Sequence, residues 1–135
     1  MKILLIDDDR LLRRVIERTL TKAGYELISC GDGEEGLRLA TEASPDLILL
    51  DMMLPGLDGV SVLRRLKQEP STNRIPVIVL SGLSQNNEAK LMKEGATKYL
   101  EKSDETFEKN SALFRAIEDL LHSANGKESV LAAHS

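Results

Sequence analysis

The segment that decides the fold reads Leu47-Ile48-Leu49-Leu50-Asp51-Met52-Met53-Leu54-Pro55-Gly56-Leu57-Asp58-Gly59. Its first four residues are apolar, which is the pattern of a parallel strand buried on both faces. Asp51 follows at once, and Pro55 with two glycines then predicts a tight loop. Open α/β sheets place their chemistry at the carboxyl ends of their strands, so Asp51 is a candidate reactive group. Aspartate is also favoured in turns, and a turn-forming role stays open on this segment alone.

Similar runs of strand-forming residues recur at four other places in the chain. Ile3–Ile6 leads into three aspartates, Tyr25–Cys30 into a glycine-rich turn, Val77–Leu80 into Ser81, and Thr97–Leu100 into Glu101-Lys102. Between and after these runs, apolar residues at helical spacing predict five helices. The helices are expected to begin near Arg10, Glu34, Asp58 or Gly59, Asn86 or Asn87, and Ser111.

Five strands alternating with five helices predict an α/β fold: a five-stranded parallel sheet that is doubly wound, (βα)5, and covered by helices on both faces. We expect one domain over residues 1–123. Residues 124–135 show no clear periodicity and are expected to form a disordered tail or a truncated linker.

Composition narrows the class of protein. With 41% hydrophobic and 30% charged residues, the 135-residue chain has the composition of a globular protein, which argues against disorder and against a membrane span. Its net charge of −4 offers no general attraction to phosphates, so we expect no direct binding to nucleic acid. The single cysteine, Cys30, excludes an internal disulfide and fits a reducing compartment, so we expect a cytoplasmic protein. Cys30 itself is predicted to be a buried strand residue.

In a doubly wound parallel sheet, the residues that follow the strands meet at one edge. Here they are Asp7, Asp8 and Asp9 after the first strand, Asp51 after the third, Ser81 after the fourth and Lys102 after the fifth. Three carboxylates within about 5 Å of one another would repel by roughly 3 kcal/mol per pair at an effective dielectric constant near 20, so such a cluster needs a cation. Oxygen ligands without histidine or cysteine select Mg²⁺, or Mn²⁺, over zinc.

The same edge suits phosphoryl transfer. Lys102 adds a positive charge, and the Ser81 hydroxyl is a suitable donor to a phosphoryl oxygen. The chemistry that follows is nucleophilic attack by Asp51 on a phosphoryl donor, with the metal and Lys102 neutralising charge in the transition state.

At this point the residues resemble a known family, the receiver domain of bacterial two-component response regulators. The resemblance covers about Lys2 to His122 and rests on an ordered set of motifs: Asp7-Asp8, Asp51 with Met53-Leu54-Pro55-Gly56-Leu57-Asp58-Gly59, Ser81-Gly82, and Tyr99-Leu100-Glu101-Lys102. It implies a flavodoxin-like fold with the strand order 2-1-3-4-5.

The resemblance also implies a metal site. Asp8 would bind Mg²⁺ directly and Asp7 through water, while Asp51 and the backbone carbonyl of Met53 would complete the protein ligands. Asp9 is expected to lie outside this set and to cap the first helix, where an acid is favoured.

The implied function is that of a phosphorylatable switch. Asp51 would accept a phosphoryl group from a phosphohistidine on a sensor histidine kinase or a histidine phosphotransfer protein. Lys102 would bind that group, Ser81 would close over it, and Tyr99 would change rotamer. The signal would then reach the surface formed by the fourth helix, fifth strand and fifth helix, through which a homodimer would also form. Such a module is not an enzyme, since it promotes only its own phosphorylation and dephosphorylation.

The chain departs from the family pattern in two places. Proline commonly follows the lysine in a cis peptide, whereas here Ser103 follows Lys102. A cis bond before a non-proline residue costs ~2.5 to 4 kcal/mol, so we expect a trans Lys102–Ser103 bond and an altered loop path. Met53 and Leu83 are apolar where other members often carry polar groups, and we hypothesise that they screen the acyl phosphate from attacking water.

Two other functions stay open. A pseudo-receiver would act as a docking scaffold without phosphorylation, although the set of Asp8, Asp51, Ser81 and Lys102 is complete. An aspartate-nucleophile phosphatase of the haloacid dehalogenase type is suggested by the Asp-x-Asp within residues 7–9. That family carries threonine or valine two places after the second aspartate, where this chain has Leu11.

Overall fold

A five-stranded parallel sheet forms the centre of the structure, a computed structural model that describes residues 1–82, 88–102 and 111–122. The strands are β1 (Lys2–Ile6), β2 (Glu26–Cys30), β3 (Leu47–Asp51), β4 (Val77–Ser81) and β5 (Lys98–Glu101). The helices are α1 (Arg10–Lys22), α2 (Gly33–Ala43), α3 (Gly59–Gln68), α4 (Glu88–Lys93) and α5 (112–122). The strand order is β2-β1-β3-β4-β5, which confirms the predicted doubly wound fold.

Helices cover both faces of the sheet. Alternate strand residues, such as Leu4 and Ile48, point toward a core that α2, α3 and α4 complete. The residues between them, such as Ile3 and Leu47, point toward a second core shared with α1 and α5. Every residue of β3 is buried, because this strand lies in the middle of the sheet and both of its faces are covered.

Aspartate side chains fix the starts of the helices at the carboxyl edge of the sheet. The Asp9 carboxylate accepts the Leu12 N–H at 3.1 Å, which confirms the predicted cap of α1. Asp58 caps α3 in the same way by accepting the Ser61 N–H at 2.8 Å. These caps hold short loops beside the ends of β1 and β3, where the predicted site lies.

Two strands begin one residue later than the sequence predicted. Tyr25 donates its N–H to the Leu20 carbonyl and so closes the end of α1 instead of pairing in the sheet. Thr97 precedes β5, and its hydroxyl accepts the Val77 N–H at 3.1 Å. Tyr25 is thus held at the end of α1, whereas the Thr97 N–H also donates to the Val77 carbonyl at 2.8 Å and continues the pairing of β4 with β5. On α3, Val62 is buried beside the predicted Leu63 and Leu66, while Val60 is only half-buried.

Some predictions fall on residues 83–87, 103–110 and 123–135, which lie outside the described residues. They are the cap at Asn86 or Asn87, the screening role of Leu83, the trans Lys102–Ser103 bond and the disordered tail. Within the described part of the chain, no helix has both the length and the apolar character needed to cross a membrane.

Candidate functional site

Three aspartates meet at the carboxyl edge of the sheet. Asp7 follows β1 and is fully buried, and Asp51 ends β3 with only 2% of its surface exposed. Asp8 is exposed. One carboxylate oxygen from each of the three lies within 4.8 Å of the other two. The sheet therefore brings together three of the residues that the sequence singled out as metal ligands.

Lys102 lies across this acidic edge. Its amine is 2.8 Å from Asp7 Oδ2 and 3.1 Å from Asp51 Oδ1, and its side chain is only 19% exposed. The Lys102 N–H donates to the Ser81 carbonyl at 2.6 Å, which extends the pairing of β4 with β5 and holds the lysine beside β4. The amine thus bridges the two buried carboxylates.

Backbone N–H groups support both buried acids. Asp7 Oδ1 accepts the Asp9 N–H at 2.9 Å, and Asp51 Oδ1 accepts the Met53 N–H at 3.2 Å. The Asp7 N–H in turn donates to the Cys30 carbonyl at 3.0 Å. These contacts orient the carboxylates before any ligand arrives. No feature of the sequence indicated this contact of Cys30, which was predicted only as a buried strand residue and is indeed 4% exposed.

Gly59 is a further residue whose contribution the sequence did not reveal. It begins α3, and a Cβ atom there would stand 2.7 Å from the Asp51 carbonyl oxygen and 2.6 Å from Met52 Cε. Only glycine allows the start of α3 to approach the end of β3 this closely. Met52 and the Asp51 carbonyl are therefore packed tightly against the start of α3, whereas the Met53 side chain is 63% exposed.

The electrostatics of the edge are unbalanced in favour of negative charge. Burial raises the pKa of Asp51 above its ordinary value, and the Asp7 carboxylate raises it further, although Lys102 and the Met53 N–H act in the opposite direction. Burial alone would lower the pKa of Lys102, but its hydrogen bond and charge interaction with Asp7, together with Asp51, raise it. The lysine therefore stays protonated at neutral pH.

The three acids fit a hard divalent cation. All the side-chain donors are carboxylate oxygens, which suit Mg²⁺ and Mn²⁺. Two oxygens bound to one Mg²⁺ at about 2.1 Å lie at most about 4.2 Å apart, so a small carboxylate movement or a bridging water would close the site. The Met53 N–H lies beside Asp51, and its carbonyl as a ligand stays a prediction.

Ser81 and Tyr99 lie on the neighbouring strands. Ser81 ends β4 and is 6% exposed, and β4 pairs directly with β3. Tyr99 is opposite Val79 in β5 and is half-buried against the core on the α2, α3 and α4 side. Their predicted switching roles stay predictions, while their positions place both within the strands that flank the acidic edge.

A family model described as the response regulator receiver domain matches residues 3–113. The transcriptional regulatory protein AfsQ1 of Streptomyces coelicolor is 39% identical over 101 residues, which cover 74% of this chain and 44% of AfsQ1. The chain thus spans less than half the length of this curated relative.

Solved structures agree with this match. The receiver domain of sensor histidine kinase PA1611 from Pseudomonas aeruginosa PAO1 is 30% identical with a TM-score of 0.79, and the match covers 90% of this chain and 97% of that one. That structure has a magnesium ion coordinated in its active site cleft. The Mn²⁺-bound form of response regulator Rcp1 is 30% identical with a TM-score of 0.73, covering 87% of this chain and 91% of that one.

Proposed function

The chain belongs to the response regulator receiver domain family, and on that premise we propose that it is a phosphorylatable switch whose phosphoacceptor is Asp51. The phosphoryl group would come from a phosphohistidine on a sensor histidine kinase or a histidine phosphotransfer protein. The module is not an enzyme acting on other substrates, because it promotes only its own phosphorylation and dephosphorylation.

One observation carries this proposal: a protonated lysine bridges two buried carboxylates, with a third acid beside them. Lys102 contacts Asp7 and Asp51 within 3.1 Å, and Asp8 adds an exposed carboxylate within the 4.8 Å cluster. A buried ion pair is often neutral or destabilising relative to apolar residues of similar size. The stability of the fold therefore gives no reason for two buried acids at this edge. The charge is better explained by phosphoryl chemistry.

The reaction is a transfer between two bonds to phosphorus. A carboxylate oxygen of Asp51 attacks the phosphorus atom, an O–P bond forms, and the N–P bond of phosphohistidine breaks so that the electron pair returns to the imidazole. The Lys102 amine, held at the same carboxylate, neutralises charge on the transferred group. The Ser81 hydroxyl at the end of β4 would donate a hydrogen bond to a phosphoryl oxygen.

A divalent ion would be held by Asp7, Asp8 and Asp51, with the Met53 carbonyl. Mg²⁺, or Mn²⁺ in its place, would supply electrostatic stabilisation of the phosphoryl oxygens as charge develops. Asp9 is excluded from this set because its carboxylate already caps α1 by accepting the Leu12 N–H.

Output would pass through the side of the sheet that carries β4 and β5. Ser81 would close over the phosphoryl group and Tyr99 would change rotamer, which alters the surface of α4, β5 and α5. A homodimer through that surface is one expected consequence. The expected absence of direct nucleic-acid binding and the expected cytoplasmic location stay predictions.

The test is phosphorylation by a small-molecule donor. Incubation with acetyl phosphate and Mg²⁺ should add the mass of one phosphoryl group to the intact chain, and hydroxylamine should remove it, as expected of an acyl phosphate. Asp51→Asn should abolish labelling. Asp119→Asn, at an exposed position on α5, is the matched control and should label like the original chain.

Other outcomes would replace the proposal. If Asp51 is never labelled in a folded, Mg²⁺-binding chain, the pseudo-receiver scaffold is the better interpretation. Hydrolysis of a phosphate ester in molar excess over the protein would instead indicate an aspartate-nucleophile phosphatase.

A further inference from the structure

A groove of about 680 Å³ lies between α1 and α5, away from the acidic edge. Its lining includes Arg18, Lys22, Tyr25, Phe114, Glu118 and His122. Tyr25 immediately precedes β2, so the groove lies toward the amino-terminal edge of the sheet, opposite the end that carries Asp51. Its volume falls within the range of about 300 to 1,000 Å³ that is usual for small-molecule sites.

Positive charge dominates one wall of this groove. Arg18 and Lys22 lie one turn apart on α1, and both are exposed. Within residues 1–82, 88–102 and 111–122, neither forms an ion pair, so both are available to a ligand. Like charges four residues apart on a helix repel each other, so a bound anion would relieve this repulsion.

The opposite wall of the groove adds one imidazole and one acid. His122 lies in the last turn of α5, and Glu118 lies one turn before it. Burial, with a smaller contribution from Glu118, raises the pKa of the Tyr25 phenol, so this hydroxyl remains a hydrogen-bond donor at neutral pH. Arg18 and Lys22 against the single acid Glu118 leave the groove with a small excess of positive charge, on a chain whose net charge is −4.

Aromatic rings are concentrated in the same groove. The chain has only two tyrosines and two phenylalanines, and Tyr25 and Phe114 both line this one groove. Both are half-buried, so each contributes to the α1 and α5 core and also faces the groove. Aromatic side chains next to cations are the combination that stacks a planar ring and pairs its anionic group.

We propose that the groove between α1 and α5 is a second ligand site, which binds a small anion that carries a planar aromatic ring. Arg18 and Lys22 pair with the anionic group, and Tyr25 and Phe114 contact the ring. The chain has no glycine-rich phosphate loop, so side chains alone hold the ligand and the binding is weaker than at such loops. The proposal does not depend on phosphorylation of Asp51.

Adenosine monophosphate serves as the probe, with adenosine and inorganic phosphate as its two halves. Titration of the ¹⁵N-labelled chain in EDTA, followed by amide chemical shifts, should move resonances from residues 18–25 and 112–122. Each half alone should bind at least about fivefold more weakly than the whole, because it forms only one of the two kinds of contact. EDTA keeps divalent ions from carrying the phosphate to the acidic edge.

Variants separate the two kinds of contact. Lys22→Ala should weaken binding of the probe at least about fivefold, and Phe114→Leu should do the same while keeping an apolar side chain on the core. Arg38→Ala removes an exposed cation from α2, and Asp51→Asn alters the opposite edge; both should bind like the original chain. All four are checked for folding by circular dichroism.

Three results would overturn the proposal. The first is the absence of shifts at millimolar probe concentrations. The second is phosphate binding as tightly as the nucleotide, which would indicate non-specific anion binding. The third is equal weakening by Arg38→Ala, which would show that net charge alone attracts the probe.

Discussion

Replacing Asp51 with asparagine should stabilise the metal-free chain at neutral pH. The Asp7 and Asp51 carboxylates have oxygens within 4.8 Å, which corresponds to a repulsion of roughly 3.5 kcal/mol at an effective dielectric constant near 20. The Lys102 amine, 3.1 Å away, attracts Asp51 by roughly 5 kcal/mol on the same scale. The cost of burial then decides whether the ionised Asp51 carboxylate stabilises or destabilises the fold, because removing a carboxylate from water costs several kcal/mol. Asparagine keeps the oxygen that accepts the Met53 N–H, so we expect a net gain of about 1 to 2 kcal/mol in the free energy of unfolding.

The gain should depend on pH in a defined direction. The pKa of Asp51 is raised in the folded chain, mainly by burial and then by Asp7. The folded state therefore loses stability relative to the unfolded state as pH rises from the ordinary carboxyl pKa, near 4, through the raised value. At pH values above the raised pKa, the loss of stability caused by ionised Asp51 is constant. Asp51→Asn removes it, so the advantage of the variant should be present at pH 7 and should disappear on acidification.

The assay is urea unfolding in EDTA at pH 7 and again near pH 4, with Asp119→Asn as the control at an exposed acid. The dependence of the unfolding free energy on urea concentration should be equal for all three chains, so that shifted midpoints report stability. If Asp51→Asn is less stable than the original chain at pH 7, the attraction to Lys102 outweighs burial and Asp7 repulsion, and the reasoning is wrong.

Three further predictions concern neighbouring positions. Lys102→Met should lower the unfolding free energy of the metal-free chain at pH 7 by about 2 to 4 kcal/mol, because it leaves two buried acids without their cation. The upper limit is the cost of protonating one of these acids at pH 7. An unchanged urea midpoint would contradict this prediction. Asp9→Ala should cost about 1 kcal/mol through the lost cap and leave the Mg²⁺ dissociation constant unchanged, whereas Asp8→Ala should weaken Mg²⁺ binding at least about tenfold, as measured by calorimetry. Met53→Asn should lose its phosphoryl group several-fold faster, because the apolar screen over the acyl phosphate is gone; equal rates of phosphate release would rule out screening.

The fold could be predicted from sequence because parallel strands that are buried on both faces consist of continuous apolar runs. Leu47–Leu50 and Val77–Leu80 have no polar residue, and both became central strands. The prediction lost accuracy at strand starts. Tyr25 has a side chain that favours strands, yet its N–H donates to the Leu20 carbonyl at the end of α1, and the Thr97 hydroxyl, not its carbonyl, accepts the Val77 N–H beside the start of β5. A propensity describes one residue, whereas those bonds depend on what lies beside it.

The members of the candidate site could be predicted because parallel strands place all their carboxyl ends at one edge. The contacts between these residues could not be predicted. Lys102 and Asp7 are 95 residues apart, and nothing in either local sequence indicates that the amine bridges Asp7 and Asp51. The support from the Cys30 carbonyl is a backbone interaction, which residue type does not encode. The close approach of Gly59 likewise depends on how α3 packs against β3.

The acidic edge also explains why metal binding and stability should change together. Asp7 follows the apolar run Ile3–Ile6 of β1, and Asp51 ends the otherwise apolar strand β3, so the fold itself gives no reason for charge there. Lys102 and backbone N–H groups offset part of the cost of burying the two acids, and the raised pKa of Asp51 records the part that remains. A divalent cation would gain its affinity from this uncompensated charge. A substitution that stabilises the metal-free edge should therefore weaken ion binding by a similar free energy, because both effects have the same electrostatic source.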